Sequence, residues 1–259
     1  MSSVLDEILD NKRKELQEKH RTGSLAALKE LATVTDGAFK SALDKEGVNI
    51  VAEIKPRSPS MGTLRKTVDL TNILASYGRY ARAISVLTDQ KYFGGSIDLL
   101  AHVSTTSHLP TLCKDFILDP RQCYEARIAG AGAVLLIVKA LDDALLGDLH
   151  STINELGMTA VVEVQNENEL ERALAVNPSV ILVNNRNLDT MKIDLATSER
   201  LVPLIPKAVT SISASGIESR ADIERLLPIC NNFLIGSSLM QSENIEAKLQ
   251  ELIGVTSVC

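Results

Sequence analysis

Apolar residues follow two rhythms along this chain. In the first, Val4, Leu5, Ile8 and Leu9 recur at helical spacing, with Asp6, Glu7, Lys12, Arg13 and Lys14 on the other face. Leu25, Leu28 and Leu31 predict a second short helix, and Phe39 with Leu43 a third. From Val48 the rhythm changes to short apolar runs: Val48–Ile54, Ala81–Thr88, Leu109–Phe116, Ala133–Val138, Thr159–Val164, Val180–Asn184, Ala208–Ser213 and Asn232–Ile235. Most are nearly continuous in apolar residues, as strands buried on both faces are. Helical patterns follow each run in turn, at Leu70–Tyr77, Ile97–His102, Pro120–Ile128, Asp142–Leu156, Glu167–Ala175, Ser198–Leu204, Ala221–Leu227 and Ile245–Leu252. Asp119 before Pro120 supplies a cap and a first-turn proline.

Strand starts recur roughly every 22–33 residues, the size of a βα unit with short loops. Eight consecutive units predict a closed α/β barrel, a single (β/α)8 TIM barrel, rather than an open sheet. Nothing between the units is rich in Pro, Gly or Ser. The expectation is one domain over residues 1–259, with residues 1–46 as an N-terminal helical extension.

A length of 259 residues suits one such barrel. With no Trp and only four Phe and four Tyr, its core must be aliphatic. The net charge of −6 argues against nucleic acid or an anionic membrane as partner, yet leaves room for a small anionic substrate at a locally positive mouth. Cys113, Cys123, Cys230 and Cys259 form no C-x-x-C pair and have no His at metal-ligand spacing, so reduced thiols and no metal are expected. The chain opens on charged helical sequence without an apolar signal region, and a cytoplasmic location is expected. No outer helix shows an apolar stripe, so a monomer is expected.

Barrel active sites lie at the C-terminal strand ends, and polar residues there are the candidates. They are Glu53, Lys55, Arg57 and Ser58 after the first strand, Asp89, Lys91, Tyr92 and Phe93 after the second, and Lys114, Asp115 and Phe116 at the third. Glu163 follows on the fifth, Asn184 and Arg186 on the sixth, Ser215 and Gly216 after the seventh, and Gly236, Ser237 and Ser238 after the eighth. Glu163 interrupts an apolar run, so it points either to the barrel mouth or to the helix layer, and in either place it needs a partner. Lys114 poses the same problem. Converging at one mouth, the two form an acid/base pair in which burial lowers the lysine pKa and raises the glutamate's, while mutual attraction opposes both. The plainer alternative is an internal ion pair that only fixes the barrel top. Small residues after the last two strands, with a short helix starting near Ser237, suit a phosphate; tight turns are the plainer alternative. Lys12–Lys14 and Glu167–Glu171 read as solvated helix faces. His20, His102, His108 and His150 fall away from the C-terminal strand ends and are not candidates.

The run Glu53-Ile-Lys55-Pro-Arg-Ser58-Pro-Ser60-Met-Gly62 resembles the first-strand signature of the indole-3-glycerol phosphate synthase family. Lys91-Tyr-Phe93, Lys114-Asp-Phe116, Val162-Glu163-Val164, Asn184-Asn-Arg186, Ser215-Gly-Ile217 and Leu234-Ile-Gly-Ser-Ser238 match in the same order, and Val4–Arg13 resembles the family's first helix. The resemblance implies ring closure of 1-(2-carboxyphenylamino)-1-deoxyribulose 5-phosphate to indole-3-glycerol phosphate, carbon dioxide and water, in tryptophan synthesis, with no cofactor. It implies Lys114 as general acid, Lys55 and Glu163 in the dehydration, and Glu53 and Asn184 steering the substrate. Ser58, Arg186 and Ser215 fall at substrate-side positions, Phe93 and Phe116 pack the aromatic ring, and Gly216, Gly236 and Ser237 cradle the phosphate. One position departs: the family usually has Glu where this chain has Ala214. A catalytically impaired phosphate-binding homologue is therefore the alternative.

Overall fold

The computed structural model describes residues 3–58, 62–63 and 69–255, with the side chains of Thr22, Ser58 and Thr63 outside the described part. Eight parallel strands close on themselves: β1 (Asn49–Ile54), β4 (Ala83–Leu87), β5 (Thr111–Lys114), β6 (Ala133–Ile137), β7 (Thr159–Val164), β8 (Val180–Asn184), β9 (Thr210–Ala214) and β10 (Asn232–Ile235). β10 pairs with β1 to complete the ring. Outer helices α4 (Leu70–Tyr80), α6 (Ile97–Thr106), α7 (Pro120–Ile128), α8 (Asp143–Glu155), α9 (Glu167–Ala175), α10 (Ala196–Leu201), α11 (Arg220–Leu226) and α13 (Ile245–Ile253) follow the strands in turn. The expected barrel is the observed one.

Alternation along each strand explains the continuous apolar runs. Ile50, Ala52 and Ile54 of β1 face the helices with Val134, Leu136, Val162 and Ile181, while Val51 faces the lumen with Leu112, Leu135, Val161, Leu182, Ile212 and Leu234. Both sides are buried, so both parities are mostly apolar; the polar exceptions such as Ser85 and Ser213 are small and buried.

Three differences from the sequence reading have local causes. Val138–Ala140 turns into a 3₁₀ helix instead of extending β6. A two-residue hairpin, β2 (Arg57–Ser58) with β3 (Gly62–Thr63), follows β1, too short for any periodicity to show. A helix of one turn, α5 (Gln90–Phe93), follows β4, with Asp89 as its N-cap accepting from Tyr92 N at 2.7 Å.

The N-terminal helices cover both ends of the lumen. From α3 (Ala38–Leu43), Phe39 and Leu43 pack into the lumen cluster near Ala83; α2 (Leu25–Leu31) lies against α7. From α1 (Val4–Thr22), Leu5, Ile8 and Leu9 pack beside Phe116 over the opposite end. Here one expectation is corrected. Lys12 is not on a solvated face: it is 5% exposed, with its ammonium 3.0 Å from Asp89 and 2.9 Å from Asp115. Burial pulls its pKa down, but the two carboxylates outweigh burial and hold it above the ordinary lysine value. Glu169 is likewise buried rather than solvated, because it accepts from Gln165 N at 2.8 Å and from Asn166 Nδ2 at 2.8 Å at the start of α9. Cys113, Cys123 and Cys230 are buried free thiols, and Cys259 lies outside the described residues.

Candidate active site

The lumen parity of each strand ends at one cavity. β1 delivers Glu53 and then Lys55, β5 Lys114, β6 Ile137, β7 Glu163, β8 Asn184, β9 Ala214, and the end of β10 Gly236. Glu163 thus points to the mouth and not to the helix layer, because it shares the lumen parity of Val161. Its Oε1 accepts from Asn184 Nδ2 at 2.9 Å, and Asn184 Oδ1 accepts from Arg186 N at 3.0 Å. Glu163 Oε2 is buried with no donor among the described residues. A buried acceptor left open at a cavity wall is available to a donor on a ligand.

The expected Lys114–Glu163 contact does not form directly. Both line the cavity, but among the described residues Lys114 has no carboxylate within 4.0 Å. The ion pair at the mouth belongs instead to Lys55 and Glu53, 2.9 Å apart, and Lys55 also donates to Ser237 Oγ at 3.2 Å. Burial raises the Glu53 pKa, yet Lys55, Lys114 and Arg186 together outweigh it and hold the group below the ordinary carboxylate range. Glu53 is therefore a charged acceptor among three cations. Burial lowers the Arg186 pKa, with Glu53 opposing.

Phe93 and Phe116 line one wall, their centroids 6.1 Å apart and planes tilted by 36°. On the opposite wall, Ser215 and Gly216 are successive left-handed residues at φ +70° and +81°. Gly236 is required for space: a Cβ there would lie 2.2 Å from Glu53 Oε1. It also begins α12 (Ser237–Gln241), whose N-terminus has no side-chain cap, leaving first-turn N–H groups at the cavity edge. Ser58 sits in β2, and its side chain lies outside the described residues; so do Pro59, Ser60 and Met61 of the same motif.

The sequence reading missed the roof. Val4, Leu5 and Ile8 of α1 line the cavity, as do Leu188, Met191 and Ile193 from the loop after β8. These are apolar residues outside strand ends, so a filter for polar strand-end groups passes over them. Glu218 and Gln241 also reach the lining. Among the described residues no group of three or more His, Cys, Asp or Glu side chains gathers as metal ligands.

A family model described as indole-3-glycerol phosphate synthase matches residues 5–252. The chain belongs to that family. An indole-3-glycerol phosphate synthase of Dehalococcoides mccartyi is 42% identical over 258 residues, 96% of this chain and all of the relative. A tryptophan biosynthesis protein TrpCF of Vibrio cholerae is 40% identical over 260 residues, covering all of this chain and 55% of the relative. A TrpCF of Helicobacter pylori is also 40% identical, with 57% of it covered. The chain thus spans little more than half the length of these TrpCF relatives. Among solved structures, 3-hexulose-6-phosphate synthase from Salmonella typhimurium superposes with TM-score 0.66 at 12% identity, over 80% of this chain and 98% of that one. At that identity the likeness is one of fold.

Within the family pattern the departure at 214 acquires a place. Ala214 is 3% exposed, lines the cavity, and sits across from Asn184 on one side and Leu234 on the other. Ala214 therefore brings no carboxylate to the cavity wall that Glu53, Lys55, Lys114 and Glu163 also line.

Proposed function

We propose that this chain is an indole-3-glycerol phosphate synthase, a carboxy-lyase that closes the indole ring of 1-(2-carboxyphenylamino)-1-deoxyribulose 5-phosphate. One observation carries the reading: at one cavity, a lysine with no carboxylate within 4.0 Å (Lys114) and a buried carboxylate oxygen with no donor (Glu163 Oε2), both among the described residues, face the same space. A substrate bearing a ketone oxygen and O–H groups satisfies both.

The chemistry follows from the placement. Phe93 and Phe116 pack the carboxyphenyl ring, and the corner at Ser215–Gly216 with the uncapped start of α12 takes the phosphate. Lys114 protonates the ketone oxygen as the carboxylate-bearing aryl carbon attacks the carbonyl carbon. That bond formed, carbon dioxide leaves and its electron pair restores the aromatic ring. Loss of water then completes the indole: between them Lys55 and Glu163 give one proton to the departing hydroxyl and take one from the ring carbon. Glu53 and Asn184 fix the geometry of that pair through Lys55 and Glu163 Oε1. Every electron pair stays within substrate and products, so the sequence balances without a redox partner. Residues 1–46 act with the barrel as one unit, as roof and floor.

The test is indole fluorescence on mixing protein with this substrate. Native protein forms indole, and Lys114→Ala loses at least about a hundredfold in kcat, the scale of a positioned acid. Binding without indole formation would overturn the enzyme reading in favour of a silent phosphate-binding homologue. Ala214→Glu, which adds a carboxylate to the cavity wall, is expected to raise kcat; an unchanged or lower value would mean that the alanine is not a defect.

A further inference from the structure

We infer that Asn185, which faces away from the cavity, is the positioning residue that aims the phosphate corner. The inference rests on the phosphate site proposed above.

Asn184 and Asn185 are adjacent, so their side chains leave the strand end in opposite directions. Asn184 lines the cavity; Asn185 is 2% exposed and turned outward beneath α10. Its amide is fully used. Nδ2 donates to Ser213 Oγ at 3.1 Å and to the Ser215 carbonyl at 3.0 Å. Oδ1 accepts from Ser198 N at 3.0 Å and from Ser198 Oγ at 2.8 Å. Its backbone N–H donates to Ala214 O at 2.9 Å, and its carbonyl accepts from Asp194 N at 2.9 Å. One residue thus ties the loop after β8, the start of α10, and the end of β9 together.

The bond to the Ser215 carbonyl has a geometric consequence. In a trans peptide the carbonyl and the N–H point in opposite directions, and the described residues contain no cis bond. Holding Ser215 O against the outer wall therefore turns the Gly216 N–H the other way. Gly216 lines the cavity, and among the described residues its N–H has no acceptor. The left-handed pair at 215 and 216 costs conformational energy at the serine, which persists only where surroundings fix it. Asn185 supplies that fixation, and the N–H so aimed is a ready donor to a phosphate oxygen.

The experiment compares Asn185→Ala and the nearly isosteric Asn185→Asp with native protein, measuring kcat, KM, the inhibition constant of inorganic phosphate, and the urea midpoint. The Asn185→Asp variant keeps an acceptor for Ser198 but loses both donations. Both variants should raise KM and the phosphate inhibition constant about tenfold, the scale of one charge-assisted hydrogen bond, while kcat stays within about threefold, as for lost uniform binding. Ser198→Ala removes a hydroxyl from the same network and leaves the Ser215 bond; it should lower the urea midpoint without moving the phosphate constant. The inference is overturned if folded Asn185 variants keep native KM and phosphate inhibition, or if Ser198→Ala weakens phosphate equally. If inorganic phosphate does not compete even with native protein, the phosphate corner itself fails, and this inference with it.

Discussion

Glu53 occupies the space in front of Gly236, and each explains the other. The carboxylate lies where any side chain at 236 would have to be, with a built Cβ 2.2 Å from Oε1. Gly236→Ala therefore displaces Glu53 from Lys55 and crowds the start of α12. The expected result is a fall of about a hundredfold in kcat/KM, the scale of losing one fixed electrostatic group; activity within twofold of native would show that the contact is slack. Glu53 also carries a pH signature. Its folded pKa lies below the ordinary 4.5, so the unfolded chain binds the proton more tightly. The stability this contributes is complete above 4.5 and is lost as pH falls through the folded value. Glu53→Gln removes that part, so its urea midpoint should fall less steeply than the native one on acidification below pH 4.5. Parallel curves would contradict it.

Helix α1 shows how an element takes on a role its own periodicity does not display. Its apolar stripe predicts docking, and Leu5 and Ile8 do dock, but onto the cavity itself. Its attachment is polar: Lys12 reaches Asp89 and Asp115, Lys91 donates to Asn11 Oδ1 at 2.7 Å, and Tyr92 donates to Glu7 O at 3.2 Å. The partners cluster at the ends of β4 and β5, beside Phe93, Lys114 and Phe116. Lys12→Met leaves two buried carboxylates without their cation, which costs about 3–5 kcal/mol by urea denaturation. The exposed neighbour Arg13, whose ion-pair partner among the described residues is Asp10, should tolerate Ala within about 0.5 kcal/mol. Equal effects at 12 and 13 would remove the anchor from the account. A looser roof should also raise KM in Lys12→Met.

Across the whole molecule, charge is distributed against its sum. A chain of net charge −6 gathers Lys55, Lys114 and Arg186 at one mouth, so that three cations there balance Glu53, Glu163 and Glu218. Lys55, beside Ser237, supplies local attraction to an anionic group that the surface as a whole does not. Added salt screens that attraction, so KM should rise several-fold with ionic strength while kcat changes little. A KM indifferent to salt would assign binding to the aromatic wall alone.

The sequence by itself determined the barrel and most of its strand ends. Strands buried on both sides are mostly apolar, so most of the eight show as nearly continuous runs, and a charged or amide residue that ends a run marks its mouth. Lys55, Lys114, Glu163, Asn184 and Arg186 were legible for that reason. Only the tertiary structure decided their pairing. Lys114 and Glu163 do not meet within 4.0 Å; Glu53 takes Lys55 and Glu163 takes Asn184, because lumen parity and cross-strand register set which side chains adjoin. The same holds for Lys12. Helical periodicity assigns it to the polar face, and nothing local reveals that two aspartates on distant loops enclose it. A pattern read along the chain reports which residues avoid water, whereas the partners of a buried charge are fixed by closure of the barrel around it.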